Sequence, residues 1–396
     1  MLFLVSGNAE VGAGTKSLNF KLLLSRFMDF TTSHGITHIY NAKGLMKKCF
    51  WGILTMISTV LLCLHLWSLI TGYLSYDTVT NVSLREARSL VFPAVTICNN
   101  NGVQRSNMPS WMDDLVQTKF QKILNSTSES HSKNDLATAI SEETSLLNDT
   151  AKMSLGYSFK DLVLICIFDG KNCDETEFWT YYHSTYGNCY TFNTGKYGPV
   201  KRSTMPGPSH GLTLVVNTGV YEYIKFLTEE AGIKVVVHDQ RAMPFPNHDG
   251  LSTSPGQVNN IAVKMINTTR LDGDYGNCTR LDSNKDNMYF YPYNVSYTQW
   301  ACLKTCYQKE LVTQCKCFDP NMPYNSEGIV FIDLDKAQGP CRLTNSTTVN
   351  CVNRVHSRFA DGTLKCSNCY QPCNEVTYDA ALSTSDFPAL SYVDTL

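Results

Sequence analysis

Residues 49–74 form a run of 26 residues without a single Asp, Glu, Lys or Arg. As a helix at about 1.5 Å per residue it measures about 39 Å, more than the roughly 30 Å hydrocarbon core of a bilayer, so it spans with some tilt. Such a segment divides the chain between two compartments, and the rest of the fold has to respect that division. A cleaved signal carries about 7–15 apolar residues close to the N-terminus, whereas this run starts at Cys49. Lys43, Lys47 and Lys48 crowd its N-terminal edge, which by the positive-inside tendency leaves residues 1–48 in the cytoplasm. Charge alone orients the segment only modestly, because Arg85 and Arg88 follow soon after the other end.

Glycosylation sequons orient it better. Asn81, Asn125, Asn148, Asn267, Asn277, Asn294 and Asn345 each begin an Asn-x-Ser/Thr triplet, and all seven follow the apolar run. Asn277 is expected to stay bare, since Cys278 beside it enters a disulfide. Of the 16 cysteines, 14 also follow the run. An even number in a non-reducing compartment reads as seven bridges, with the connectivity left open. A net charge of -2 gives no electrostatic pull toward nucleic acid, so no nucleic-acid partner is expected. The charged fraction of 17% suits a membrane segment joined to a neutral, sugar-covered surface.

Past residue 75 the chain reads as α+β. "SLVFPAVTICN" (89–99) and "AGIKVVVHD" (231–239) are short β-branched runs edged by Pro, Asn or Gly, as strands are. The stretch 124–152, rich in Ser, Thr, Asn and acids, reads as a solvated excursion, although Leu136, Ile140 and Leu147 also fit an amphipathic helix. Ser296 and Gln299 fit a capping box ahead of a helix whose stripe is Trp300, Leu303, Tyr307 and Leu311. Cys302 and Cys306, four apart on that helix, leave the same face toward one neighbour. A second helix is predicted over 347–362, with Gly362 as its C-terminal cap.

Catalytic and metal motifs are set aside. "GNAEVGAGTKS" (7–17) nearly spells a phosphate loop, but Thr15 separates Gly14 from Lys16 and no nucleotide domain fits before the membrane. "CSNCYQPC" (366–373) reads as disulfides outside the cell rather than a zinc or redox site. The histidines make no HExxH motif, and His65 inside the run reads as a packing residue. No enzyme, no metal and no cofactor are expected.

Six stretches in order carry a resemblance: "TTSHGITHIY" before the run, "FPAVTICN" after it, then "YGNCYTFNTG", "AGIKVVVH", "YGNCT" and "CYQPCNEVTY". From about residue 31 onward the chain is similar to the epithelial sodium channel/degenerin family, nearest to its invertebrate peptide-gated and acid-sensing branches. The resemblance implies a trimeric, sodium-selective, amiloride-sensitive channel, homomeric or mixed with other family subunits, in the plasma membrane, with sodium as the permeant ion. The implied fold is one transmembrane helix followed by a large disulfide-rich β-sheet ectodomain of palm, β-ball, finger, knuckle and thumb. The implied domains are a cytoplasmic segment at 1–48, the helix at 49–74 and the ectodomain at 75–396, with the finger at about 99–190 and the thumb at about 296–370.

The resemblance also supplies the pairing that the count leaves open. It joins Cys98 to Cys189 and Cys166 to Cys173, and in the thumb Cys278 to Cys373, Cys302 to Cys369, Cys306 to Cys366, Cys315 to Cys351 and Cys317 to Cys341. His34 and Gly35 match the family's His-Gly gating motif. Tyr76 and Tyr275 match an aromatic pair that couples ectodomain to pore, set against the plainer reading of two tyrosines at a membrane interface. Glu229 and Glu230 match one wall of an acidic pocket, but Asp77 and Thr78 replace the acid-sensing histidines, and Arg354 and His356 replace thumb acids. An extracellular peptide is therefore the expected gate, with acid and mechanical gating as alternatives. After Cys373 no second apolar run of about 20 residues follows, so the expectation is either a fragment of a longer subunit or a short single-pass regulatory partner. The rival from another class is a cysteine-rich adhesion or receptor ectodomain.

Overall fold

The computed structural model describes residues 20–31, 34–124, 129–225, 227–280, 287–323, 337–342, 345–366, 368–389 and 391. The phosphate-loop-like stretch at 7–17 and the sequon at Asn125 lie outside the described residues. The chain divides into two units, 1–81 and 82–396.

The first unit is helical: α1 (Phe20–Phe30), α2 (His34–Asn41) and α3 (Leu45–Leu74). α3 starts at Leu45 rather than at residue 49, so Lys47 and Lys48 fall in its first turn. None of its residues is buried. A helix that is apolar all round and uncovered by protein finds a favourable solvent only in lipid. Among the described residues it is the one helix long and apolar enough to cross a membrane. It ends at Ser75, and Tyr76 follows with φ 49°, in the left-handed region that stops helices.

In chain order the second unit contains β1 (Leu90–Val91), β2 (Ala94–Asn99), α4 (Ser110–Leu124), α5 (Glu129–Ser145), α6 (Asp149–Leu155), α7 (Phe159–Leu162), β3 (Val163–Phe168), β4 (Lys171–Asn172), β5 (Phe178–His183) and β6 (Gly187–Phe192). There follow β7 (Arg202–Ser203), β8 (Leu212–Val216), β9 (Ile233–His238), α8 (Pro246–Asp249), β10 (Leu251–Thr253) and β11 (Gln257–Thr269). The last elements are α9 (Phe290–Tyr293), α10 (Gln299–Cys315), α11 (Ser346–Ala360) and β12 (Asn374–Asp386).

The two predicted strands are β2 and β9, antiparallel neighbours at the centre of a five-stranded sheet ordered β10-β9-β2-β6-β5. Covered on both faces, β2 and β6 are buried almost throughout. Cys98 and Cys189 stand directly opposite each other in the β2–β6 register, Cα atoms 4.5 Å apart, and are bonded across it. A second sheet, β4-β3-β8, packs on this one. Ile97, Tyr190 and Phe192 meet Val163, Phe168 and Leu214 in a shared core, where Phe192 holds Phe168 and Phe178 at ring distances of 5.4 Å.

Within the stretch read as a solvated excursion, 129–145 and the residues from Asp149 on are helical, as α5 and α6, so the alternative reading of an amphipathic helix around Leu136 and Ile140 is the one that holds. Met112, Val116, Leu136 and Ile140 are buried together with Leu155 and Ile224 in a satellite core. The polar composition surrounds one apolar pair at i, i+4, Leu136 and Ile140, and α4 brings another, Met112 and Val116, to the same core. The capping expectation is also corrected. Helix α10 is capped by Thr298, whose hydroxyl accepts the Ala301 amide hydrogen at 3.2 Å, while the Ser296 amide donates to the Arg241 carbonyl. The buried face of α10 is Ala301, Thr305, Gln308 and Val312 with Tyr307 and Leu311, whereas Trp300 remains 36% exposed. Helix α11 ends as expected, with Gly362 at φ 66° just beyond it.

Candidate functional site

In the first unit, Gly35 determines how closely α2 sits on α3. A Cβ built there would press on the Thr55 side chain, with Cγ2 at 2.8 Å, and Thr55 cannot swing away without losing its 2.7 Å hydrogen bond to the Trp51 carbonyl. One helical turn along, the His38 ring stacks on Trp51 at 4.4 Å. His34 opens α2, and its side chain lies outside the described residues. Tyr76 follows the end of α3, its ring 6.3 Å from that of Tyr73.

In the second unit, β11 and β12 pair residue for residue from Gln257–Asp386 to Thr269–Asn374. Where this ribbon ends, the chain is clamped. Cys278 is bonded to Cys373, and the Arg270 guanidinium donates to the Pro372 carbonyl and the Glu375 carboxylate, each at 2.8 Å. Backbone hydrogen bonds tie Arg270 to Cys373 and Thr279 to both Gln371 and Cys373. Tyr275 ends a 3-10 turn, Gly273–Tyr275, inside the clamped loop and is 50% exposed. The clamp presents this ring on backbone that has little freedom left.

Above the clamp, bonds Cys302–Cys369, Cys306–Cys366 and Cys315–Cys351 run in antiparallel order along α10, and Cys317–Cys341 closes the far end. Cys366 and Cys369, with two residues between them, supply the partners of Cys306 and Cys302. Apart from the bonds, the thumb helices share a small core of Tyr307, Leu311 and Val355.

Three parts of the second unit converge on the turn at Asp319–Asn321. From α5, the Ser141 hydroxyl donates to the Asn321 side chain at 2.7 Å. On α10, Gln308 accepts the Asp319 amide hydrogen at 2.9 Å. Beyond β5, Ser184 donates to the Asn321 carbonyl at 3.4 Å. Burial raises the Asp319 carboxyl, against hydrogen bonds from Asn321 and the nearby Lys304 and His356. Burial likewise lowers Lys304, against Asp319. Burial and the Lys304 ammonium together push His183, at the end of β5, down to about 4. This joint was invisible to sequence reading, because its members come from distant strands and helices.

Another group that sequence reading passed over is His238. Its Nδ1 lies 2.8 Å from the Asp239 carbonyl, which can only accept, so Nδ1 carries the hydrogen. Nε2 then accepts from Thr96, whose oxygen takes the Thr191 hydroxyl in turn, both at 2.8 Å. Burial pushes the imidazole down to about 4, outweighing Asp239 and Asp249 nearby.

Glu229 and Glu230 are exposed, and Glu230 lies close enough to Tyr186 to help burial raise that phenol. Every described sequon asparagine is exposed: Asn81, Asn148, Asn267, Asn277, Asn294 and Asn345. Asn148 and Asn345 cap α6 and α11 through Oδ1, leaving their side-chain amide nitrogens outside the cap.

The family model of the amiloride-sensitive sodium channel matches residues 27–396. Epithelial sodium channel subunit beta-2 of Xenopus laevis is 27% identical over 95% of this chain and 71% of its own length. The beta subunit of Neoceratodus forsteri is 32% identical over 80% of this chain and 45% of its own. The FMRFamide-activated amiloride-sensitive sodium channel of Cornu aspersum is 25% identical over 91% and 61%.

Proposed function

The chain belongs to the amiloride-sensitive sodium channel family, and on that premise we propose that it is a subunit of a trimeric, sodium-selective channel of the plasma membrane. In this reading residues before α3 are cytoplasmic, residues after it are extracellular, and an extracellular peptide opens the pore. One observation carries the reading: the family match is continuous through the apolar helix, the His-Gly segment before it and the cysteine-rich unit after it. An adhesion ectodomain has no use for Gly35 seated against Thr55. The peptide-activated relative from Cornu aspersum supports the choice of stimulus.

Mechanistically, the thumb acts as a lever. Each bond removes conformational freedom that a swinging element would otherwise dissipate. The lever ends at the clamp that presents Tyr275, and Tyr76 follows the end of the membrane helix. In this reading Tyr275 and Tyr76 are the residues whose exchange to Ala uncouples the ectodomain from the pore. The Gly35–Thr55 approach then holds the cytoplasmic segment under it.

Voltage clamp of cells expressing the chain, alone and with epithelial subunits, tests the reading. A sodium current blocked by amiloride and raised by Phe-Met-Arg-Phe-amide is expected, and Gly35→Ala is expected to abolish it at equal surface expression. Absence of any amiloride-sensitive change in either setting contradicts it.

A further inference from the structure

Strand β3 has an unfinished edge. On one side it pairs with β8 from Val163 to Phe168. On the other, β4 covers only Ile167 and Phe168, and the Cys173 amide donates to the Cys166 carbonyl. Among the described residues no strand lies beside Val163–Ile165 on that side; the Val163 amide donates to the Phe159 carbonyl, and Leu164, at a bulge in the β8 pairing, is left exposed. An edge of this kind is a template for another extended chain.

The same edge borders an open groove of about 430 Å³, within the roughly 300–1,000 Å³ typical of small-ligand sites. Its floor is apolar: Phe159, Val163 and Cys166 are each at most 7% exposed, and the Cys166–Cys173 bond lies among them. Leu164, 60% exposed, stands at the rim. The polar part of the lining is mainly acidic, with Asp174 and Glu175 against Lys160 alone. Asp174 is fixed by accepting the Thr176 amide hydrogen at 2.9 Å and the Thr176 hydroxyl, and these bonds hold its carboxyl below the usual range. Asp174 therefore stays ionised at extracellular pH.

We propose that this groove binds a short extended peptide carrying a basic side chain next to a large apolar one, laid along the open edge of β3. Side chains alternate along an extended peptide, so one faces the Phe159–Val163 floor while its neighbour reaches Asp174 and Glu175. The apolar floor supplies burial, the carboxylates select the basic residue, and the edge fixes the direction of the chain. The proposal rests on the reading that an extracellular peptide acts on this channel, and names where that peptide sits.

The test uses the full chain in nanodiscs with fluorescein-labelled Phe-Met-Arg-Phe-amide, read by anisotropy, beside voltage clamp with the unlabelled peptide. Asp174→Asn with Glu175→Gln preserves the cap and removes the charge, and is expected to weaken binding at least tenfold. Leu164→Lys at the exposed rim is expected to do the same, and a peptide with Glu in place of Arg is expected not to bind. Binding unchanged in both variants overturns the groove and leaves peptide gating standing. Peptide-evoked current without binding to the purified chain also overturns it. Binding that the variants abolish, with no evoked current, upholds the groove and contradicts peptide gating.

Discussion

The five-stranded sheet and the thumb solve the same problem by different physics. In the sheet, Phe192, Val236, Ala94 and Cys98 are almost wholly removed from solvent, and a buried polar chain, Thr191–Thr96–His238, is hydrogen-bonded among them. In the thumb the shared core is small, and covalent bonds span α10, α11 and the segments beyond them. A region held by burial yields to cavities and to buried charge. A region held by cross-links yields to reduction, and until then stays stiff whatever its core.

The sharpest way to break this comparison is a cavity in the sheet. Phe192→Ala should lower the unfolding free energy of the ectodomain by about 3–5 kcal/mol, measured by denaturant unfolding. Removing one thumb bond with Cys302→Ala and Cys369→Ala should cost about 2–5 kcal/mol and should appear first as faster proteolysis of residues 299–360, with the sheet still intact. A loss shared equally between sheet and thumb would erase the distinction.

Acid separates the two regions further. Folded His238 titrates at about 4, whereas an unfolded histidine titrates near roughly 6.5. The unfolded chain therefore binds the extra proton between these values. The stabilisation is complete above about pH 6.5 and is lost as the pH falls toward 4, by something on the order of a few kcal/mol. His183 contributes in the same direction and Asp319, whose carboxyl is raised, in the opposite one. His238→Gln should flatten the acid dependence of the unfolding midpoint without abolishing it; an unchanged slope would mean that His238 is not the buried neutral group described. The smallest effect is expected at the start of α10, where Thr298→Ala removes the cap and should cost about 1 kcal/mol, visible as a small shift in the same midpoint.

How much of this was legible in the sequence follows from how local each feature is. The apolar helix needs only consecutive residues, and β2 and β9 announce themselves by β-branching and flanking breakers. The even cysteine count signalled bridging, but the pairing of Cys302 with Cys369 had to come from family resemblance, because spacing alone leaves it open. Helix α5 was only half legible: Leu136 and Ile140 stand four apart as an amphipathic helix requires, but the serines, threonines and acids around them argue equally for a solvated stretch until the neighbours that bury them are in place. Thr298 rather than Ser296 caps α10 because the Ser296 amide is held by Arg241, a partner no local window contains. The joint of His183, Lys304 and Asp319, and the groove beside β3, exist only once distant segments are brought together.

The most direct measurement is the amiloride-sensitive current carried with and without the Cys302–Cys369 bond, at equal surface labelling of the ectodomain. A braced thumb that drives the pore predicts that the double alanine variant reaches the surface and loses most of its peptide-evoked current. Full current from a surface population lacking that bond would contradict it.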